Sequence, residues 1–524
     1  MKNKIYLLPL LFMLSINITL SQTTTEWVQR YYQTNNSIDG GNSIITDNNF
    51  NVYVTGSDGG PFNYDIVTIK YSATGNQQWI SRYNGPANGS DGGDVVILDK
   101  DSNLIVVGNS EGIGTGSDYV TIKYSLLGEQ QWFARYSSSG NDFPSSVAVD
   151  KLGNIFVTGK SSNNFATVKY NSFGIQQWVT LYPAQNLSDF AWAITVDDFS
   201  NVYIAGVKGG DYITIKYNSN GIQQWVSVYD GPYSGDDFAN SIGLDSSGNV
   251  YVSGSIEDEL HYSDYTTIKY NNSGKEQWVR RYCGSGNFLD VVVAMKVDRS
   301  GNVYVTGYTT ESGQGYNMTT IKYSTNGDNV WHSSYNLGLN DIASAICLDN
   351  LNNVYITGRS DGNGTGDDYV TVKYDSLGNQ KWEMRYDYSG QFGDYPSSLV
   401  VDKNGSVFVT GSSDRDFLTI KYSQLTGEET VFSEILKDYS LSQNYPNPFN
   451  SRTVINYELG ITSEVTIKVY KILGNEVASL VNENKSAGSY EVVFDGSDFP
   501  SGIYFYSLSI NGNVIDTKRM VLLK

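Results

Sequence analysis

A tryptophan returns at positions 27, 79, 132, 178, 225, 278, 331 and 382, at spacings of 46 to 53 residues. Two further signals keep the same beat. A strand-like run closed by glycine appears as NVYVTG at 51–56, NLIVVG at 103–108, NIFVTG at 154–159, NVYIAG at 201–206, NVYVSG at 249–254, NVYVTG at 302–307, NVYITG at 353–358 and SVFVTG at 406–411. TIKY or TVKY then ends at Tyr71, Tyr124, Tyr170, Tyr217, Tyr270, Tyr323, Tyr374 and Tyr422. Eight copies of one unit leave few folds open, because each copy must be a supersecondary element whose core its neighbours complete.

One more apolar segment precedes each glycine-closed run, as in DVVILD at 94–99, SVAVD at 146–150 and AICLD at 345–349. The unit therefore holds four short strands, rich in Val, Ile, Tyr and Thr and bounded by Gly, Asn, Asp and Ser. The 41 tyrosines suit strands better than helices. The pattern predicts an all-β chain: an eight-bladed, four-stranded β-propeller. The strand around Trp27 precedes any blade of its own, and the last unit, reading SQLTGEETVF after Tyr422, lacks a tryptophan. The first strand is thus expected to complete the last blade and close the ring, with GEETVF as its competitor.

The DxxGNVYVTG segments resemble the SBBP-type beta-propeller repeat of secreted bacterial proteins, and TIKYSATGNQQW is similar to the strand, turn and Trp of quinoprotein propellers. The resemblance spans about residues 27–425 and implies the fold; propellers serve many functions.

Residues repeated eight times read as structural. Thr68 and Lys70 alternate with Val67 and Ile69, so one set faces each side of the strand, and the lysine can meet a carboxylate or a carbonyl. Trp27, Trp79, Trp132, Trp178, Trp225, Trp278, Trp331 and Trp382 read as packing between blades. Trp192 falls outside the series and is the tryptophan to watch for function.

Function is expected where the repeats differ. Connections such as DKLGN and YSATGNQ are short and alike and share one rim. The others differ and share the opposite rim: SDGGPFNYD at 57–65, SEGIGTGSD at 110–118, SIEDELHYSD at 255–264, YNGPANGSDGGD at 83–94 and DYSGQFGDYP at 387–396. Variable loops on a rigid scaffold are the usual place for binding. Two histidines, His261 and His332, lie in different units, which argues against a His-based triad or metal centre. The sharpest local pattern is DGNGTGDD at 361–368, a weak calcium candidate through Asp361, Asn363 and Asp368 that lacks the terminal Glu of a calcium loop. Cys283 and Cys347 lie in different units and read as separate thiols.

At the N-terminus, Lys2 and Lys4 precede an apolar run from Ile5 to about Leu20, the form of a secretory signal peptide over 1–21. No later stretch reaches membrane-spanning length. The chain carries 35 Lys and Arg against 55 Asp and Glu, net −20. Removing Lys2 and Lys4 gives −22, and residues 437–524 hold 8 basic and 9 acidic groups, so the region between carries −21. Such a surface repels nucleic acid and anionic lipid.

The repeat signals stop after about Phe432, and alternating strands follow: TVINYEL, SEVTIKVYKI, NEVASLV, GSYEVVFD, GIYFYSLSI and VIDTKRMVLLK. About seven short strands in some 80 residues predict a small immunoglobulin-like β-sandwich. The segment resembles the type A C-terminal sorting domain of the type IX secretion system of Bacteroidetes-like bacteria. The matching residues are Tyr445, Pro446, Asn447, Pro448 and Phe449, then Gly502, Tyr504 and Lys518. The resemblance implies passage across the outer membrane, with the protein released or held at the cell surface, and the secretion machinery as partner. The expected domains are signal peptide 1–21, propeller 22–436, linker 437–444 and sorting domain 445–524.

These readings favour a secreted or cell-surface binding protein, not an enzyme, with no cofactor beyond the calcium candidate. Its ligand would be a polysaccharide or a surface protein on the variable rim. The competing reading is a secreted enzyme on a propeller scaffold, either a polysaccharide-degrading hydrolase or a quinoprotein-like dehydrogenase.

Overall fold

Eight four-stranded antiparallel sheets account for most of the chain in the computed structural model. It describes residues 23–33, 37, 39–60, 63–162, 164–184, 189–233, 235, 237–260, 262–286, 288–312, 315–361, 366–388, 392–424, 439–459, 463–471, 475–486, 488–510 and 513–524. The expected signal peptide and the GEETVF segment lie outside these. No helix among the described residues is long and apolar enough to cross a membrane. The chain divides into two compact units, one spanning Thr23–Ser423 and one holding the C-terminal strands.

In each blade the four strands follow chain order. Blade 1, for example, is Gly40–Thr46, Val52–Gly60, Asn63–Tyr71 and Gln77–Tyr83. The first strands of successive blades adjoin one another around the whole ring, so these are the inner strands. Blade 8 supplies Asp394–Val401, Val407–Ser413 and Asp416–Gln424, and its fourth strand is Thr23–Tyr31, from the other end of the chain. The expected closure is therefore the one the molecule uses. Arg30 secures it: its guanidinium donates to Ser413 Oγ and Ser413 O, both at 2.7 Å, and meets Asp416 at 2.8 Å.

The second and third strands have both faces covered, as expected where blades stack face to face; Val52, Tyr53, Val54, Val67, Thr68 and Ile69 are buried. Each inter-blade layer is a separate apolar cluster built from two neighbours. The repeated tryptophans join these layers. Trp79 Nε1 donates to Leu126 O at 3.1 Å, in the turn of the next blade, and Lys70 Nζ donates to the same carbonyl at 3.1 Å. Trp132 and Lys123 share Ser172 O, and Trp178 and Lys169 share Ser219 O. The glycine of that turn must be glycine on two counts: Gly128 has φ +84°, and a Cβ there would lie 2.7 Å from the Trp79 ring.

Several stretches that read as rim loops are extended hairpin arms. Strands 52–60 and 63–71 continue in register to Gly60↔Asn63, so SDGGPFNYD is mostly strand. In blade 4 the connection shrinks to Gly209 and Gly210.

The C-terminal unit packs a three-stranded sheet (Tyr439–Leu441, Arg452–Leu459, Gly488–Asp495) against a four-stranded one (Glu476–Lys485, Ser463–Lys471, Gly502–Ile510, Asn513–Leu522). Ile455, Tyr457 and Phe494 from the first share a core with Val465, Ile467, Tyr506 and Leu508 from the second. The linker expected at 437–444 is corrected here. Its residues 439–441 pair with the strand 452–459, and Leu441 and Asn444 are buried, because the apolar Leu441 completes the sandwich core.

Candidate functional site

The two ends of the propeller differ in construction. At the end formed by the short turns, each first strand stops at an aspartate that accepts backbone N–H groups two and four residues on, as Asp150 does from Leu152 and Asn154 at 2.9 and 2.8 Å. This rim is built alike in every blade. It displays single apolar side chains on separate turns, among them Leu127, Phe173 and Leu377.

The opposite rim holds a ring of aspartates that the sequence reading did not single out. Asp39, Asp91, Asp142, Asp189, Asp237, Asp290, Asp341 and Asp394 stand at the head of the eight inner strands, and all are buried. Asp290 is typical. One carboxylate oxygen accepts Gly284 N–H at 2.5 Å and the other Thr310 N–H at 2.7 Å, tying the connection from the preceding blade to the end of its own blade's second strand. Its own N–H donates to Ser263 O of the preceding blade at 2.7 Å. Asp39, Asp237 and Asp394 make the same backward bond, to Arg415, Gly210 and Asp367. Burial pushes the carboxyls of Asp237 and Asp290 up to about 6, against the lowering effect of those N–H bonds. The signal was in the sequence as Asp, any residue, then a small or imino residue (DGG, DGG, DFP, DFA, DFA, DVV, DIA, DYP), masked by loops of unequal length.

Just inside this ring, at the mouth of the axis, the inner strands present aromatic side chains. Phe143 is 39 % exposed, Trp192 41 %, Phe238 39 % and Tyr395 40 %. Trp192 is a β-bulge residue, the extra one between Ala191 and Ala193, and it stacks on Phe190 with centroids 4.5 Å apart and planes at 28°. A bulge re-aims a side chain out of the sheet pattern. The places equivalent to Phe143, Phe238 and Tyr395 are Gly40 in blade 1 and Gly92 in blade 2, and Trp192 corresponds to Asn42 and Asp94, so blades 1 and 2 carry no aromatic there.

A second tier of acids heads the third strands, where Arg135 meets Asp118 and Arg385 meets Asp368, each at 2.7 Å. Three carboxylates converge in two places among the described residues, Asp211 with Asp230 and Asp237 and Asp368 with Asp387 and Asp394, and in a third the thiol of Cys283 joins Asp264 and Asp290. Of the calcium candidate's residues, Asp361 and Asp368 are among those described. Asp361 accepts Leu339 N–H at 2.7 Å and Asn340 N–H at 2.9 Å, Asp368 is ion-paired with Arg385, and Asn363 lies outside the described residues. Asp361 thus ties a loop, and Asp368 lies beside Asp387 and Asp394. His332 lies against Tyr282, 5.7 Å between ring centroids, and His261 is outside the described residues. Cys283 lies on the surface beside Asp264 and Cys347 is half-buried, and the two are not joined to each other.

In the C-terminal unit, the entry segment folds back on the last strand. Asn447 Oδ1 accepts Val521 N–H at 2.9 Å, Phe449 N–H donates to Val521 O at 2.9 Å, and the Phe449 ring is buried edge-on to Phe494. Asn444 Nδ2 and Thr453 Oγ1 both donate to Pro446 O. Tyr445 stays 79 % exposed, and Pro448 lies between the two anchoring residues. Gly502 opens the strand that carries Tyr504, whose hydroxyl donates to Pro500 O at 2.9 Å; Lys518 pairs with Asp516 at 2.9 Å.

Fold and site together define a repeat β-propeller joined to a small β-sandwich. Comparison with known proteins places both parts. The beta-propeller repeat family SBBP matches residues 131–166, 231–257, 277–313 and 386–417, and the secretion system C-terminal sorting domain matches residues 443–522. The chain thus carries SBBP-type propeller repeats and a C-terminal sorting domain of the type IX kind, which together support a secreted propeller protein. No curated protein matches it. Among solved structures, quinohemoprotein alcohol dehydrogenase from Comamonas testosteroni aligns at 10 % identity over 76 % of each chain, with a TM-score of 0.49. A protein of unknown function from Dyadobacter fermentans aligns at 10 % identity over 76 % of this chain and 99 % of its own, with a TM-score of 0.38. Drosophila Semaphorin 2a aligns at 8 % identity over 82 % and 96 %, with a TM-score of 0.38.

Proposed function

We propose that this protein is a non-enzymatic binding module that holds a polysaccharide or a surface protein at the axial mouth of its diverse rim. The observation that carries the reading is the set of exposed aromatic side chains at the heads of the inner strands, Phe143, Trp192, Phe238 and Tyr395, held on strands and not on loops. Rigid aromatics bring large contact area at little entropic loss, and binding sites favour them. The acids beside them act as structure: both oxygens of Asp237 and of Asp290 already accept backbone N–H groups, and their raised pKa follows from burial. It is the burial of these oxygens and their commitment to backbone N–H groups, not the pKa, that weighs against a general-acid role. The sorting domain, by its resemblance, delivers the module through the periplasm and the outer membrane.

The test is a binding screen of the full chain against a glycan array and a panel of bacterial surface proteins. Hits are then compared with the variant Phe143→Ala/Trp192→Ala/Tyr395→Ala and with Leu127→Ala/Phe173→Ala on the uniform rim. We expect the first variant to lose at least about tenfold in affinity, the scale of one or two stacking contacts, and the second to bind as wild type. The reverse pattern, or turnover of a bound glycan, would sink this reading.

A further inference from the structure

Trp192 stands in blade 4 and Phe238 in blade 5, and in blade 4 the second tier of acids lacks its arginine. Wherever another blade heads its third strand with aspartate, an arginine follows on the fourth strand or, in blade 8, on the N-terminal strand that replaces it. Arg82, Arg135, Arg281 and Arg385 stand opposite Val67, Val120, Thr266 and Val370, two residues after Asp65, Asp118, Asp264 and Asp368. Arg30 serves Asp416 in blade 8. Where the acid is replaced by Asn164 or Asn317, the arginine place holds Leu181 or Ser334. Blade 4 alone keeps the acid, Asp211, without the arginine: opposite Ile213 stands Val228, 54 % exposed.

Asp211 therefore faces other carboxylates. Oxygens of Asp211, Asp230 and Asp237 lie within 4.8 Å of one another, and no ion pair to any of the three occurs among the described residues. The nearby cation, Lys208, is turned to Tyr182, its Nζ 4.7 Å from the ring. Burial and the Asp230 charge raise the pKa of Asp211. The aromatics adjoin this group through the backbone. Asp237 immediately precedes Phe238, and its N–H donates to Gly210 O beside Asp211 at 2.6 Å. Phe190, which carries the Trp192 stack, is in register with Val207, next to the pair Lys208↔Asp211.

We propose that this sector takes an arginine side chain from a basic polypeptide partner, its guanidinium filling on Asp211 and Asp230 the place that Arg135 and Arg385 fill in their own blades, with the partner chain lying over Phe190, Trp192 and Phe238. The proposal rests on the reading of the rim as a binding surface and adds the chemistry of the partner. Three features select arginine. A planar guanidinium forks onto carboxylates and stacks on aromatic faces, which a compact ammonium does less well. The sister blades show the same carboxylate position occupied by a guanidinium at 2.7 Å. The net charge of −20 draws a basic segment towards the rim.

The test uses fluorescence anisotropy with the full chain and labelled octa-arginine and octa-lysine peptides at physiological salt. Val228→Arg supplies the missing guanidinium from within and should weaken octa-arginine binding at least tenfold, as should Asp211→Asn. Trp192→Ala should weaken octa-arginine more than octa-lysine. Asp328→Asn makes the same change in charge on the opposite rim and should bind as wild type. If Val228→Arg and Asp211→Asn bind like wild type, or if Asp328→Asn weakens binding equally, attraction is diffuse and the proposal is overturned while the rim reading stands. Absence of octa-arginine binding also overturns it, and the glycan and protein screen then judges the rim separately. Displacement of the peptide by micromolar calcium, lost in Asp211→Asn, would make the sector a divalent-cation site instead.

Discussion

At the position of the inner-strand bulge, the residue type decides how one blade grips the next. Asn42 Nδ2 donates to Gly93 O of the following blade at 2.9 Å, and Ser145 and Asn240 donate likewise to Ala191 O and Val292 O. Blade 2 places Asp94 there, between Gly93 and Val95. A carboxylate has no hydrogen to donate, whereas a carboxylic acid has one. Burial pushes the Asp94 pKa from 3.8 up to about 7, so the folded protein holds a proton that the unfolded chain releases at lower pH. Stability from this group is complete below pH 4 and falls as pH rises towards 7. The full linkage value of about 4 kcal/mol is discounted for partial exposure to about 1–2 kcal/mol. Asp94→Asn, which donates at every pH, should therefore melt higher than wild type at pH 8, with the difference vanishing near pH 4. Thermal melts across that range check it, and a constant difference would refute the account. Asp237 and Asp290 titrate in the same window, but equally in both proteins.

At the scale of strands, whatever recurred unchanged was legible and whatever recurred at shifting offsets was not. Trp79, Lys70 and Gly128 could be read as structural from recurrence alone, although their convergence on one carbonyl, Leu126 O, needed coordinates. The aspartate ring escaped because Asp91 and Asp142 follow loops of different length and composition, so eight equivalent ties looked like eight unlike loops. Trp192 was conspicuous only by being out of series, and its stack on Phe190 follows from a bulge that no periodicity announces. The closure was legible for a physical reason: a tryptophan strand without a blade and a blade without a tryptophan strand can each satisfy the other's edge. Arg30 is the test of that joint. Its guanidinium serves Ser413 and Asp416 and lies 3.7 Å over the Tyr388 ring, while Glu26 meets Lys421 at 2.9 Å. Arg30→Ala should destabilise the propeller by about 2–3 kcal/mol, as for a partly buried pair that loses one member. Combined with Asp416→Ala in a double-mutant cycle, it should show a coupling of about 1–2 kcal/mol in urea unfolding. Strict additivity would mean that the ion pair does not hold the joint.

For the whole molecule, the two units divide their tasks along lines that composition already marks. The propeller region carries about −21 of the charge and residues 437–524 about −1, so the long-range field that would attract a basic partner belongs to the propeller. The sorting unit has its own core and makes its characteristic entry segment part of that core: Phe449 is buried against Phe494 and Asn447 is bonded to the last strand, which leaves Tyr445 exposed. A recognition surface made this way depends on the sandwich being folded, not on a linear tail. It follows that Phe449→Ala, which removes a buried ring at about 3–5 kcal/mol from a small domain, should block export about as well as deleting 443–524. The propeller, with inter-blade cores built from its own strands, should fold in both cases. Both variants should accumulate in the periplasm as protease-resistant propeller, while Tyr445→Ala, which leaves the core untouched, separates recognition from folding. Fractionation and immunoblotting of surface, medium and periplasm measure this. Arrival of the 443–524 deletion outside the cell would show that the sandwich is not the export signal. Export of Phe449→Ala alone would show that the signal is read from the strands and not from the folded entry segment.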